Sequence, residues 1–158
     1  MKLQKINKVR EGKYLRNYEL VYENRAGHEK KYEIVSHHEI RDISELGGKV
    51  SGVSIVAIHE GKMLLLREFR MGVDRFVFNL CAGMKEEEET LEECIRRELY
   101  EETGLSLKRI YKILNPAFAA VSICDILNQI AFVEAEGEIE DSHTSENEWI
   151  QAAFYTKQ

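Results

Sequence analysis

The amino-acid sequence predicts an α+β domain in which a mixed β-sheet packs against one principal helix, and three observations carry that expectation. Runs of alternating apolar and polar residues lie on both sides of the middle of the chain. A single strongly capped helical segment separates them, and Gly-containing turns punctuate the alternating runs at hairpin spacing. The order is strands, one helix, then strands, with no internal repeat and no low-complexity segment.

Residues 14–23 alternate, turn through Arg25, Ala26, Gly27 and His28, and resume alternation as KKYEIVSHH from Lys30, which predicts an N-terminal hairpin. After Gly47 and Gly48, VSGVSIVAIHEGKMLLLREFR reads as two strands joined at Glu60, Gly61 and Lys62. Residues 76–80 form a shorter strand leading to Gly83. Residues 107–114, 128–134 and 149–155 read as further strands, and residues 116–125 as a loop. The sole proline, Pro116, opens that loop, because a residue without an N–H breaks a strand. Residues 1–46, the hairpin region, and residues 47–158 read as two parts of one unit.

The helix is the best-specified element. Thr90 and Glu93 form a T-x-x-E capping box that starts it at Leu91, and Gly104 ends it in a left-handed cap. At about 100° per residue, Leu91, Cys94, Ile95 and Leu99 fall in one stripe facing the core. Glu98 and Glu102 fall in the middle of that stripe and Glu101 at its edge. Carboxylates on an apolar face are costly unless paired. Arg97 reaches Glu101 at i, i+4, but one guanidinium does not neutralise three or four carboxylates. A hard divalent cation is the remaining partner, magnesium with manganese as a substitute, because the donors are all oxygen. Glu86, Glu87, Glu88, Glu92 and Glu93 read instead as a solvated face.

Composition narrows the function classes. The chain has 158 residues, a size that buries one substantial core, and its net charge of -6 argues against a nucleic-acid-coating protein or a binder of anionic membranes. The longest apolar runs, residues 53–58 and 63–66, are too short to span a bilayer, and the charged N-terminus reads as lacking a secretory leader. The odd number of cysteines, Cys81, Cys94 and Cys124, without metal-site spacing, favours reduced thiols and a cytoplasmic location. Each reads as a small core filler. His28, His37, His38 and His143 lack metal-ligand spacing and read as surface or loop residues.

The segment GMKEEEETLEECIRRELYEETGL resembles a complete Nudix box through Gly83, Glu89, Arg97, Glu98, Leu99, Glu101, Glu102, Gly104 and Leu105. The resemblance implies the Nudix fold and metal-dependent hydrolysis of a diphosphate attached to a nucleoside. Beyond the box, the chain resembles the ADP-ribose and NDP-sugar pyrophosphatase branch of that family. LLLREFR, residues 64–70, is similar to the branch's strand ending in Gln, an aromatic or aliphatic residue, and Arg, which implies that Arg70 faces the substrate diphosphate or terminal ribose. Residues 79–83, NLCAG, stand in the place of the branch's Glu-Leu-Pro-Ala-Gly, which implies the Ala82 carbonyl as a metal ligand and Gly83 beside the substrate. Asn79 and Cys81 depart from it, and Cys for Pro also occurs in GDP-mannose-type members, so the departure bears on substrate choice. In the loop at residues 116–126, Ser122, Cys124 and Ile126 replace the branch's Gly, hydroxyl residue and Glu.

Glu146 and Glu148 resemble the branch's Glu-x-Glu loop, which implies Glu146 as the base and Glu148 as a metal ligand completing the set of Ala82, Glu98 and Glu102. Glu101 or Glu98 is the base if Glu146 lies too far away, and Arg97 joins Glu101 and Glu146 as the expected catalytic set. The N-terminal hairpin resembles the small swapped sheet that builds a homodimer and contributes to the nucleoside pocket. Tyr14, Tyr18, Tyr22, Phe76 and Phe118 are the candidates to stack on a base. The helix and tail that normally follow the branch's last strand have no counterpart after Tyr155 in this sequence, which implies either a trimmed version of the fold or a more open pocket. The implied function is magnesium-dependent cleavage of an NDP-sugar, with ADP-ribose preferred, giving AMP and ribose 5-phosphate. GDP-mannose or another NDP-sugar is the near alternative. Clearance of nucleoside triphosphates is a second reading, opposed by the hairpin, and a non-catalytic ligand-sensing module is a third, opposed by the intact box.

Overall fold

The computed structural model describes residues 1–140 and 145–156, so His143 lies outside the described residues. In chain order the elements are β1 (Lys2–Glu11), β2 (Arg16–Glu23), β3 (Glu29–Ser36), β4 (Val50–His59), β5 (Lys62–Arg70), β6 (Arg75–Asn79), β7 (Cys81–Met84), α1 (Leu91–Thr103), β8 (Ser106–Ile113), β9 (Ala117–Phe118), β10 (Leu127–Glu136) and β11 (Ile150–Tyr155). They fall into two compact units, residues 1–51 with 116–128, and residues 52–115 with those from 129 onward. No described helix is long and apolar enough to cross a membrane.

The first unit carries a three-stranded antiparallel sheet in the order β1-β2-β3. The expected hairpin is β2 and β3, in register from Arg16 opposite Ser36 to Glu23 opposite Glu29. The Asn24 carboxamide closes its turn by accepting from the N–H groups of Ala26 and His28 at 2.9 and 3.0 Å. Strand β1 is an addition to the sequence reading. Its apolar residues Leu3, Ile6 and Val9 recur every third position, which hides the two-residue period of a strand. Register shifts between Leu3 and Lys5 and between Lys8 and Arg10 break the simple alternation along the strand. Leu3 and Ile6 both pack on the small core of Tyr18, Leu20, Ile34 and Ile40. Tyr18 is buried there, with its hydroxyl accepting from the Ile40 N–H at 2.8 Å. Residues 116–128 form the expected loop plus the two-residue strand β9, which pairs Phe118 with Leu127.

The second unit holds the principal sheet, with strand order β11-β5-β4-β10-β8, β6 added on β5 and β7 on β4. The β4–β5 hairpin turns where expected, with Glu60 and Gly61 both at positive φ, 49° and 75°. Helix α1 packs its apolar stripe, Cys94, Ile95 and Leu99, into one core with Val53, Ile55, Leu64, Leu66, Leu105 and Val133. This is the expected α+β architecture, and β7, the short strand at Cys81–Met84, carries the site.

Candidate active site

The helix that presents the carboxylates is fixed at both ends. The Thr90 hydroxyl accepts from the Glu93 N–H at 3.2 Å, and the Glu93 carboxylate accepts from the Thr90 N–H at 2.7 Å. At the other end Gly104 adopts φ 75° and donates its N–H to the Tyr100 carbonyl at 2.8 Å. A Cβ at Gly104 would stand 2.8 Å from the Cβ of Glu140, so both conformation and space require glycine. These caps set the rotation of α1 and thereby aim Glu98 and Glu102 at β7.

Gly83 on β7 receives the Glu98 side chain. A Cβ placed on Gly83 would lie 1.8 Å from the Glu98 Cδ and Oε1, so the missing side chain is the notch that holds the carboxyl group. Gly52 makes a second close approach from behind, since a Cβ there would lie 2.2 Å from the Gly83 carbonyl oxygen. One residue away, the Ala82 N–H donates to Glu102 Oε2 at 3.1 Å. The Cys81 side chain beside it lowers the Glu102 value in part.

Arg97 ties the acidic residues together from the side. It grips Glu89 with two parallel bonds, Nε to Oε1 at 2.8 Å and Nη2 to Oε2 at 3.0 Å. Its Nη1 donates to Glu98 at 2.7 Å and Glu101 at 3.2 Å, and its Nη2 to the Met84 carbonyl at 3.0 Å. Glu89 is therefore the anchor of Arg97. The guanidinium holds Glu89 down at about 2, and its acidic partners raise Arg97 itself. Burial raises Glu98 above the usual carboxylate range against the pull of Arg97. Glu102 has no guanidinium, and burial pushes it up to about 7, offset in part by Cys81 and the Ala82 N–H while Glu98 and Glu68 push it further up. It is the carboxylate in most need of a cation.

These groups open on a cavity of about 1090 Å³. Arg70, Ala82, Gly83, Glu98, Glu101, Glu102 and Glu148 line it, so most of the residues expected from the sequence meet at one place. Arg97 acts from outside the wall through its bonds to Glu98 and Glu101. Glu146 is exposed and is not part of the wall. The Glu148 carboxylate folds back to accept from the Ser145 N–H at 3.2 Å and the Ser145 hydroxyl at 2.8 Å.

The structure adds Glu68 of β5, which the sequence reading passed over. It is 6% exposed, lines the cavity, and accepts from the Asn79 amide at 2.8 Å and Arg70 Nη1 at 3.3 Å. The signal was strand periodicity, since Leu64, Leu66 and Glu68 share one face of β5. Trp149 is a second addition, exposed on the same cavity wall.

Among the described residues, no three His, Cys, Asp or Glu side chains form a ready-made metal cage. Two carboxylates and a backbone carbonyl, from Glu98, Glu102 and Ala82, are nonetheless the kind of donor set that suits magnesium, which keeps waters and takes substrate phosphate oxygens. The raised Glu102 supports that fit, because a cation would relieve its burial.

A capped helix holding carboxylates in a glycine notch, with one arginine bracing them, defines a Nudix-type domain. Residues 48–156 match the NUDIX domain, and the chain belongs to that family. It is 27% identical over 121 residues to the GDP-mannose pyrophosphatase of Yersinia enterocolitica, covering 71% of this chain and 63% of that protein. It is 28% identical over 117 residues to the ADP-ribose pyrophosphatase of Bacillus subtilis, covering 65% and 63%, and 27% identical over 149 residues to that of Saccharomyces cerevisiae, covering 88% and 62%. The chain thus spans a little over three-fifths of the length of these relatives. A solved ADP compounds hydrolase shares the fold, with a TM-score of 0.77 at 19% identity, covering 99% of this chain and 79% of that one.

Proposed function

We propose that this chain is a divalent-metal-dependent hydrolase of the diphosphate linkage in a nucleoside diphosphate sugar, with ADP-ribose preferred and AMP and ribose 5-phosphate as products. The observation that carries the reading is the pair Glu98 and Glu102, set over Gly83 and opening on the cavity, with Glu102 lacking any guanidinium partner. ADP-ribose is the first choice because two of the relatives bear that substrate in their names. GDP-mannose is the alternative, supported by Cys81 in the place of the branch's proline and by the Yersinia relative.

The Ala82 carbonyl, Glu98 and Glu102 would hold magnesium, or manganese in its place, and Glu148 would join them on leaving Ser145. When bound, the cation supplies phosphate neutralisation, a more acidic water and stabilisation of the leaving oxygen. The protein's own groups do the rest. Arg70, tied to Glu68 at the cavity wall, holds the substrate diphosphate. Water attacks one phosphorus, the bridging P–O bond breaks, and the water proton passes to a carboxylate base. Glu101 is the base of choice, because it lines the cavity and Glu146 does not. Arg97 positions both Glu98 and Glu101. The family resemblance further supports a cytoplasmic homodimer built through the N-terminal sheet, with residues 1–46 as the dimerisation part and residues 47–158 as the hydrolase part.

The test is product release with magnesium from ADP-ribose, GDP-mannose, other NDP-sugars, dinucleoside polyphosphates and nucleoside triphosphates, beside Glu102→Gln. Turnover of an NDP-sugar, reduced on the order of 100-fold or more in the variant, is the expected result. Turnover of triphosphates alone would refute the substrate class, and nucleotide binding without any turnover would refute the hydrolase.

A further inference from the structure

We propose that Trp149 is the platform on which the purine base of the substrate stacks, which makes it a specificity-determining residue; the inference rests on the nucleotide-sugar reading above. Of the two aromatic side chains on the cavity wall among the described residues, Phe69 is half-buried and Trp149 is 62% exposed. A large indole left in water at the edge of the cavity gives up the burial that normally stabilises tryptophan, and a ligand that covers it recovers that area.

The ring is also held ready. Phe76 meets Trp149 nearly perpendicularly, with centroids 4.9 Å apart and planes at 82°, so their contact occupies at most one indole face. Phe76 is itself wedged against Phe69 at 5.4 Å and lies under the Arg67 guanidinium at 3.9 Å. The Trp149 carbonyl accepts from the Phe69 N–H at 3.0 Å, directly before Ile150 of β11 pairs with Glu68 of β5. The platform is therefore hydrogen-bonded to β5, the strand that carries Arg70. A bicyclic base matches a bicyclic indole, and stacking tolerates either purine. A base on Trp149 and a diphosphate against Arg70 and Glu102 occupy one cavity of about 1090 Å³, which is room enough for a whole nucleotide sugar. This differs from the expectation that Tyr14, Tyr18, Tyr22, Phe76 or Phe118 stacks on the base: Tyr18 is buried and Phe76 packs against Trp149, while Tyr14 and Phe118 are exposed but line no part of this cavity.

Trp149 is the sole tryptophan of the chain, so the tryptophan emission comes from this site alone. The full chain is titrated with AMP, GMP, UMP and ribose 5-phosphate, each followed in parallel by calorimetry. AMP and GMP should quench saturably, UMP much less, and ribose 5-phosphate not at all. In steady-state assays Trp149→Leu should raise KM about tenfold with kcat within about twofold, while Trp149→Phe keeps KM within about threefold. Calorimetric binding of AMP with unchanged emission would overturn the proposal on the native chain, without recourse to any variant. Emission that follows protein concentration and ignores nucleotide would overturn it by assigning the indole to a second copy of the chain. Absence of any calorimetric signal for nucleotides, with no turnover, would mark the failure as that of the hydrolase reading, and the platform falls with it.

Discussion

Glu102→Gln should make the metal-free protein relatively more stable as pH rises. Burial raises the folded-state value of Glu102 from the ordinary 4.5 to about 7. The folded chain therefore binds more protons than the unfolded chain between those pH values, and its stability falls as pH rises from about 4.5 to about 7, then stays level. Each unit of displacement corresponds to about 1.4 kcal/mol, so the ionised carboxylate costs about 3 kcal/mol at pH 8 and under about 1 kcal/mol at pH 5. Glutamine carries no such charge. It loses about 1 kcal/mol for an amide group without its own partner, but that loss is the same at both pH values. The difference in unfolding free energy, variant minus native, should accordingly increase by about 2 kcal/mol between pH 5 and pH 8. Urea denaturation in chelator measures it directly. A difference independent of pH, or one that favours the native chain toward pH 8, would refute the claim that Glu102 is an uncompensated buried carboxylate. Magnesium should then reverse the order at pH 8, stabilising the native chain in proportion to its occupancy and leaving the variant nearly unmoved.

Gly83→Ala should leave the fold intact, because the atoms that must yield are the end of the Glu98 side chain, yet lower kcat on the order of 100-fold by expelling that carboxylate from its notch. Normal kcat in a folded Gly83→Ala chain would remove Glu98 from the mechanism. Arg97→Lys should lose the paired grip on Glu89, and its stability deficit should shrink as pH falls from about 5 toward 2. The direction follows because a depressed carboxylate stabilises the fold above its unfolded value and stops doing so as it protonates. Acid titration of both proteins followed by circular dichroism checks this, and a deficit that widens in acid would contradict it. Iodoacetamide should label Cys81 and Cys94 quickly in urea and hardly at all in the folded chain, since burial raises Cys94 to about 12 and pushes Cys81 well above the usual thiol value. Mass spectrometry reads the outcome, and rapid labelling of folded Cys81 would mean that β7 opens to solvent.

The helix and its chemistry were legible because local rules determine them. Thr90, Glu93 and Gly104 act within a few residues of the ends they cap, and the position of Glu98 on the core stripe follows from helical periodicity alone. Strand β1 was illegible because its register shifts break the two-residue period on which strand recognition depends. Strand β7 was missed because Cys81, Ala82 and Gly83 have little side chain to alternate, and only its pairing with β4 makes it a strand. Glu146 was expected as the base from the resemblance of Glu146 and Glu148 to the branch's Glu-x-Glu loop, but the turn at Ser145 leaves the two carboxylates with different surroundings.

Glu68 and Asn79 depart together from the branch pattern, and the structure places them in contact. The branch pattern places an amide on the strand matching β5 and a carboxylate at the position of Asn79. This chain has them reversed, with Glu68 on β5 accepting from the Asn79 amide at 2.8 Å. In this chain one carboxylate and one amide face each other, with the carboxylate on β5. There it reaches Arg70 at 3.3 Å and contributes to raising Glu102. Glu68 therefore ties Arg70 to the cavity wall and adds to the burial that makes Glu102 hard to ionise. Glu68 and Asn79 therefore act as one hydrogen-bonded unit, and its carboxylate couples Arg70 and Glu102 across the cavity that Glu68 lines.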